Sequence, residues 1–183
     1  LACKDEAMIM QPPVKLAIFD LAGTTVEDNN DVPGVLQSTL AKFDTYVTLQ
    51  EAIAVMGIPK PVAIMKLMTR FSDPIFPPTT DQLNAIHETF QQDMIAFYEH
   101  DPSVREKTGV SETFEALKEM GIKIAIDTGF DRSIADVVLA RMGWGERGLI
   151  DYTVTSDEVE RGRPYPDMIF KARTCSESNR PCM

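Results

Sequence analysis

The chain has 183 residues, of which 44% are hydrophobic, and its 28 acidic and 18 basic side chains give a formal net charge of −10. This length and composition suffice for one solid core and leave room for a second small one. The negative charge argues against nucleic acids and anionic membranes as partners, because such partners require clustered positive charge. No apolar run approaches the roughly 20 residues of a membrane-spanning helix, and the N-terminus lacks the order of a signal peptide. We therefore expect a cytoplasmic protein.

The two ends of the chain carry its three cysteines, Cys3, Cys175 and Cys182. Their odd number and their spacing, which suits no metal site, predict free intracellular thiols. Residues 1–13 and 175–183 have no apolar period and are expected to form irregular tails. The chain does not begin with Met, which suggests that the true start lies elsewhere.

The first predicted strand is the apolar run that begins at Val14 and ends at Asp20. A continuous apolar run is typical of a parallel strand that is buried on both faces. Open α/β sheets bind ligands at the carboxyl ends of such strands, so Asp20 is a candidate nucleophile or magnesium ligand. Gly23 lets the chain turn tightly, so that backbone amides and Thr24 can point at an anion. The alternative is an ordinary strand-end turn, since Asp and Gly are common in any turn.

A helical block follows, and we place it at residues 33–100. Thr48-Leu-Gln-Glu51 has the form of a capping box, Lys60-Pro61 places a proline in a first helical turn, and a long apolar stripe begins after Thr80-Asp81. A helical subdomain inserted directly after the first strand is well placed to act as a lid over it.

Strands and helices alternate after residue 101. The predicted elements are a helix at 111–120, a strand at 122–126, a helix at 132–142, a strand at 152–155 and a helix from 166. This alternation predicts an α/β fold with a Rossmann-like parallel sheet. The core is assigned to residues 14–32 and 101–174, and the helical cap to 33–100.

Polar side chains stand at the ends of all three predicted strands. Asp20 follows the first strand, Thr128 and Gly129 follow the second, and Arg163 lies just past the third. A carboxylate, a hydroxyl and a cation on neighbouring strand ends can surround one phosphoryl group. Arg163 suits this role because a guanidinium can pair with two oxyanions at once, whereas a strand-end Thr is often only a helix cap.

This order of motifs resembles the haloacid dehalogenase (HAD) superfamily over residues 14–173. Members of that superfamily attack phosphorus with an aspartate after the first strand, hold phosphate with Thr or Ser after the second, and use Lys or Arg near the third. Asp20-Leu-Ala-Gly-Thr-Thr-Val and Gly162-Arg163-Pro-Tyr-Pro are similar, more narrowly, to the phosphonatase (phosphonoacetaldehyde hydrolase)-like group. The resemblance implies Asp20 as nucleophile, Arg163 as its catalytic partner, Mg²⁺ held by Asp20 and the Ala22 backbone carbonyl, and a phosphate site of Ala22, Gly23, Thr24, Met56, Thr128 and Gly129.

Ala22 and Lys60 favour cleavage of a P–C bond within that resemblance. Phosphatases of the superfamily have a second Asp at the position of Ala22, which protonates the leaving alcohol. A departing carbon instead needs an electron sink, and a lysine imine on the neighbouring carbonyl supplies one. Met56-Gly-Ile-Pro-Lys60 resembles the phosphonatase segment that bears this lysine, and a helix start lowers the pKa of an amine. The alternative is a solvated surface lysine.

The chain departs from the superfamily pattern after Arg163, because the fourth strand and the acidic motif that completes the magnesium site do not follow. The sequence therefore predicts a core that lacks its C-terminal part, with an exposed strand edge that a second copy could cover in a homodimer. The predicted function is hydrolysis of a small phosphonoaldehyde through a lysine imine and an aspartyl phosphate. The alternatives are a phosphomonoesterase acting on a small phosphorylated metabolite and a catalytically incomplete phosphate-binding or interaction protein.

Overall fold

The computed structural model describes residues 14–71 and 77–178. In chain order the elements are β1 (Leu16–Asp20), α1 (Asp31–Ala41), α2 (Leu49–Ile53), α3 (Lys60–Phe71), α4 (Thr80–His100), α5 (Val110–Glu119), β2 (Lys123–Thr128), α6 (Arg132–Met142), β3 (Tyr152–Thr155) and α7 (Asp167–Ser178). A short 3₁₀ turn, Ser156–Glu158, follows β3. None of the helices in these ranges has the length and apolar character needed to span a bilayer.

The strands form a parallel sheet in the order β1-β2-β3, which confirms the predicted α/β architecture. Asp20 lies beside Asp127 in the register, and Thr128 lies beside Thr155. Because all the strands run in one direction, their carboxyl ends share one edge of the sheet. The register thus brings Asp20 and Thr128, two of the polar residues predicted to meet there, to the same edge.

Helices cover both faces of the sheet. Ile124 and Ile126 of β2 pack into the larger core, which includes Phe114 of α5. Ala125, between them, points to the opposite face and packs with Met168 of α7. This alternation follows from the two-residue period of a strand.

The prediction that β1 is buried on both faces is wrong, because all five of its residues are only partly buried. Within the described residues β1 pairs with β2 alone and forms the edge of the sheet. An apolar run therefore does not distinguish a central strand from an edge strand. The predicted homodimer across such an edge remains a prediction.

The helices α1–α4, here called the helical insert (Asp31–His100), join β1 to the rest of the sheet. The insert begins two residues earlier than predicted, since Asp31 opens α1 and Pro33 lies in its first turn, where proline is tolerated. The capping box from Thr48 to Glu51 is confirmed, as is the helix start at Lys60. Helix α4 packs against α1 and α3 of the insert and against α6 of the core.

Two predictions about the C-terminal end are wrong. Helix α7 continues to Ser178, so residues 175–178 are not irregular; Met168 and Ala172 anchor this helix on the sheet. Cys175 is disulfide-bonded, so the prediction that all three thiols are free is wrong. An odd number of cysteines still permits one disulfide pair. Residues 1–13 and 179–183, with Cys3 and Cys182, lie outside the described ranges.

Candidate active site

A cavity of about 100 Å³ lies between the carboxyl ends of the strands and the helical insert. Its lining combines residues of the core and of the insert: Asp20, Ala22, Asp28, Val32, Met56, Gly57, Ile58, Lys60, Thr128, Gly129, Phe130 and Arg163. Seven of the predicted site residues are among them, namely Asp20, Ala22, Met56, Lys60, Thr128, Gly129 and Arg163. The roles assigned to these residues from the sequence remain predictions.

The turn after β1 differs from its prediction, because Gly23 and Thr24 do not line the cavity. Gly23 has the positive φ of 77° that a tight turn requires, but its amide donates to the carbonyl of Val26. The amide of Thr24 donates to the carbonyl of Leu21 at 3.3 Å. Both amides thus close the turn itself. The Thr24 hydroxyl donates to Oδ2 of Asp20 at 3.3 Å, so it orients this carboxylate instead of meeting an anion directly.

Arg163 joins the ends of β1 and β2 through a single nitrogen. Its Nη2 donates to Oδ1 of Asp20 at 2.9 Å, to the backbone carbonyl of Asp127 at 3.3 Å and to Oδ1 of Asp127. Burial lowers the pKa of Arg163, but the two carboxylates outweigh burial and raise the pKa overall. The guanidinium is therefore held as a cation beside the predicted nucleophile.

Lys60 is the cation on the other side of the cavity, and its residue is only 6% exposed. Its Nζ lies 5.9 Å from the ring centroids of both Phe90 and Phe130, and 3.8 Å from Sδ of Met56. Burial lowers the pKa of Lys60 to about 8, against the opposing effects of the carboxylates of Asp131, Asp28 and Asp20. The alternative interpretation of Lys60 as a solvated surface lysine is thus wrong.

Thr128 and Gly129 form the wall of the cavity at the end of β2. The Thr128 hydroxyl accepts a hydrogen bond from the amide of Phe130 at 3.2 Å, and the residue is 4% exposed. Ser156 donates to the carbonyl of Gly129 at 3.1 Å. Asp131, not Thr128, occupies the N-cap position of α6, so the alternative of Thr128 as a helix cap is wrong.

Sequence reasoning assigned no role to Asp127, Asp28 or Asp131. In the sequence Asp127 is only the residue before Thr128, and nothing local marks it. The strand register, which places it next to Asp20, shows that it belongs to the same edge of the sheet. Asp28 lines the cavity while its Oδ1 accepts from the amides of Asp31 and Val32 at the start of α1. The polar run before α1 was the signal that could have indicated such a cap.

Asp131 connects the core to the helical insert. Its Oδ2 accepts a hydrogen bond from Nε2 of Gln91 at 2.8 Å and lies 3.0 Å from Nε2 of His87. Both partners belong to α4, so the carboxylate does not cap its own helix α6. The side chains of His87 and Asp131 are 19% and 13% exposed, and the contact therefore lies in a partly buried interface.

The described residues offer an incomplete set of magnesium ligands. Asp20, Ala22 and Asp28 line the cavity and carry the oxygen atoms that Mg²⁺ prefers. Within residues 14–71 and 77–178, however, no three His, Cys, Asp or Glu side chains are arranged to hold a metal ion. One oxygen of Asp20 is also engaged by Arg163.

Comparison with known proteins places these features in a family context. The sequence profile of the family described as haloacid dehalogenase-like hydrolase matches residues 17–180. Phosphonoacetaldehyde hydrolase of Bacillus mycoides (strain KBAB4) is 31% identical over 166 residues, which cover 86% of this chain and 62% of that protein. The protein of the same name from Bacillus thuringiensis (strain Al Hakam) is 33% identical over the same shares of both chains. The chain thus spans less than two thirds of these relatives.

Solved structures share the fold at lower identity. A phosphonoacetaldehyde hydrolase-like protein from Oleispira antarctica superposes with a TM-score of 0.78 at 24% identity, over 91% of this chain and 62% of that one. A predicted phosphoglycolate phosphatase from Haemophilus somnus superposes with a TM-score of 0.73 at 20% identity, over 91% and 72%. At these identities the similarity shows the fold alone.

Proposed function

Since the chain belongs to the haloacid dehalogenase-like hydrolase family, we propose that it is a phosphonatase-like hydrolase that cleaves the P–C bond of a small phosphonoaldehyde. The observation that carries the proposal is the placement of Lys60. A buried amine with a pKa of about 8 lines the same cavity as Asp20 and Arg163. A lowered pKa suits imine formation, because only the neutral amine attacks a carbonyl carbon.

Lys60 would carry out the carbon chemistry. With a pKa of about 8, about a tenth of the amine is unprotonated at pH 7. The free amine attacks the aldehyde carbon of the substrate, a C–N bond forms, and water leaves to give an imine. The protonated imine then accepts the electron pair of the breaking P–C bond. Burial of the Lys60 side chain favours this chemistry because it disfavours the charged form of the amine.

Asp20 and Arg163 would carry out the phosphorus chemistry. An oxygen of Asp20 attacks phosphorus as the P–C bond breaks, and the products are an aspartyl phosphate and an enamine on Lys60. The Arg163 guanidinium stabilises the charge of the transferred group. Water then hydrolyses the aspartyl phosphate to release phosphate. The enamine takes up a proton at carbon, and hydrolysis of the resulting imine releases the aldehyde and restores the lysine.

The test is borohydride reduction in the presence of phosphonoacetaldehyde, followed by mass mapping of the modified residue. We expect the adduct on Lys60, and we expect Lys60→Met to lose at least about 100-fold in phosphate release. Lys66→Met is the matched control, because Lys66 is an exposed lysine on the same helix α3. Phosphate release from phosphonoacetaldehyde without an adduct on Lys60 would contradict the proposal.

One observation favours the phosphomonoesterase as a second candidate. Asp28 lines the cavity, and its carboxyl group could serve as the acid that Ala22 cannot provide. In that case phosphate release from a simple phosphate ester such as phosphoglycolate would be unchanged in Lys60→Met and reduced in Asp28→Asn. Measurements with added Mg²⁺ and with EDTA would test the predicted metal requirement for both candidates.

A further inference from the structure

A buried carboxylate that the proposed mechanism does not use stands next to the nucleophile. Asp127 is 7% exposed and lies beside Asp20 in the strand register. Burial of a carboxylate is costly unless a cation or hydrogen-bond donor compensates it. The side chain of Asp127 has Arg163 as its partner. Asp127 does not itself line the cavity, whereas Arg163 does.

The contacts of Arg163 are concentrated on one of its nitrogens. Nη2 makes every hydrogen bond that Arg163 forms within the described residues, two of them to Asp127 and one to Asp20. A guanidinium carries five N–H donors in a rigid planar fork. An anchor on one corner of the fork therefore fixes the plane of the group and leaves the donors on Nη1 and Nε to other acceptors.

We propose that Asp127 is a positioning residue that anchors Arg163 through Nη2 and so presents the rest of the guanidinium to the phosphonyl or phosphoryl group of the substrate. Without this anchor Asp20 is the one side-chain hydrogen-bond partner left to the guanidinium within the described residues, so its orientation is no longer held from two sides. The inference deepens the proposed function, yet it requires only that Arg163 bind an anion. It thus holds for cleavage of either a P–C or a P–O bond.

The direction of the change in phosphate affinity on replacing Asp127 distinguishes an anchor from a negative charge that merely lies nearby. Removing a charge that only repels anions would tighten phosphate binding, whereas removing an anchor weakens it. Calorimetric titration of the full chain with inorganic phosphate measures this change. We expect Asp127→Ala to weaken phosphate binding by about tenfold or more. Asp127→Asn keeps the acceptor oxygen, so we expect it to stay within about threefold of the unaltered protein.

A double-mutant cycle with Arg163→Met tests whether Asp127 acts through Arg163. We expect Asp127→Ala to cause no further loss of phosphate binding once Arg163 is Met. Urea unfolding of each variant shows whether it folds. If Asp127→Ala does not fold, phosphate binding by Asp127→Asn is compared with that of the unaltered protein instead. The proposal is overturned if Asp127→Ala binds phosphate as tightly as or more tightly than the unaltered protein, if the losses in the two variants add, or if the unaltered protein binds no phosphate.

The same titration distinguishes failure of this inference from failure of the proposed function. The proposed function is tested by the borohydride adduct on Lys60, and this inference is tested by phosphate binding in the Asp127 variants, so the two readouts can fail separately. A missing borohydride adduct together with the expected phosphate results would remove the imine mechanism and leave the role of Asp127 intact. An adduct on Lys60 with unchanged phosphate binding in Asp127→Ala would do the reverse.

Discussion

The cations on the two sides of the cavity have opposite surroundings. On the core side, Arg163 is paired with Asp20 and Asp127, and these carboxylates raise its pKa. On the side of the helical insert, Lys60 has no salt bridge within the described residues and is surrounded by Met56 and two aromatic rings. Burial lowers its pKa to about 8. Pairing keeps one cation charged, and desolvation makes the other available as a neutral amine.

This difference indicates that the strand ends and the insert serve different chemical steps. A permanently charged guanidinium suits the oxyanions on phosphorus, and an amine with a lowered pKa suits attack on a carbonyl carbon. Because the two groups belong to separate parts of the fold, a change on one side should leave the chemistry of the other side measurable.

The largest effect is expected from Asp20→Asn. Loss of the carboxylate nucleophile should lower phosphate release by at least about a thousandfold. Imine formation at Lys60 should persist, so borohydride should still trap the adduct. The control is Asp136→Asn, because the side chain of Asp136 is 61% exposed and lies outside the cavity. Substantial phosphate release by Asp20→Asn would show that Asp20 is not the nucleophile.

The next effect concerns the stability of the protein. The folded protein lowers the pKa of Lys60 from 10.5 to about 8, whereas the unfolded chain keeps the ordinary value. Between these pH values the unfolded state binds more protons, so the stability of the unaltered protein rises with pH across this window. At pH 7 the buried ammonium opposes folding, and Lys60→Met should raise the free energy of unfolding by up to about 3 kcal/mol.

Urea unfolding at pH 7 and pH 10 tests this expectation. The stability advantage of Lys60→Met should be largest at pH 7 and should shrink toward pH 10, because the lysine of the unaltered protein has lost its charge in the folded state by then. Lys66→Met should show no such pH dependence. If Lys60→Met is less stable than the unaltered protein at both pH values, the amine is not held in a desolvated environment.

A smaller effect is expected on the pKa of Lys60 itself. Asp131 is the carboxylate that contributes most against the effect of burial on this pKa. Asp131→Asn should therefore shift the midpoint of borohydride trapping to a pH below 8. Trapping rates measured between pH 6 and pH 10 provide the midpoint, and Asp136→Asn again serves as the control. An upward shift of the midpoint would contradict the assignment of Asp131 as a stabiliser of the ammonium form.

The smallest effect is expected from His87→Ala. This change removes a contact between α4 and Asp131 while leaving the hydrogen bond from Gln91 in place. We expect a loss of about 1 kcal/mol in the free energy of unfolding at pH 7, which is typical for one partly buried polar contact. His100→Ala, whose side chain is 78% exposed, should have no measurable effect. Equal losses in the two variants would show that the contact does not hold the insert to the core.

The sequence by itself determined the parallel sheet and most of the groups at its edge. Strand ends are local features, since an apolar run that stops at Asp20 or ahead of Thr128 marks its own boundary. The direction of parallel strands then brings these ends together without further information. For the same reason the start of α3 at Lys60 was predictable, because Pro61 marks a first helical turn.

Only the tertiary structure decided how each of these groups is surrounded. The burial of Lys60 depends on Phe90 and Phe130, which are distant from it in the chain and come from α4 and from the end of β2. The role inferred for Asp127 depends likewise on Arg163, which approaches it from beyond β3. Solvation and charge pairing arise from packing between remote segments, and a local sequence pattern does not contain that packing.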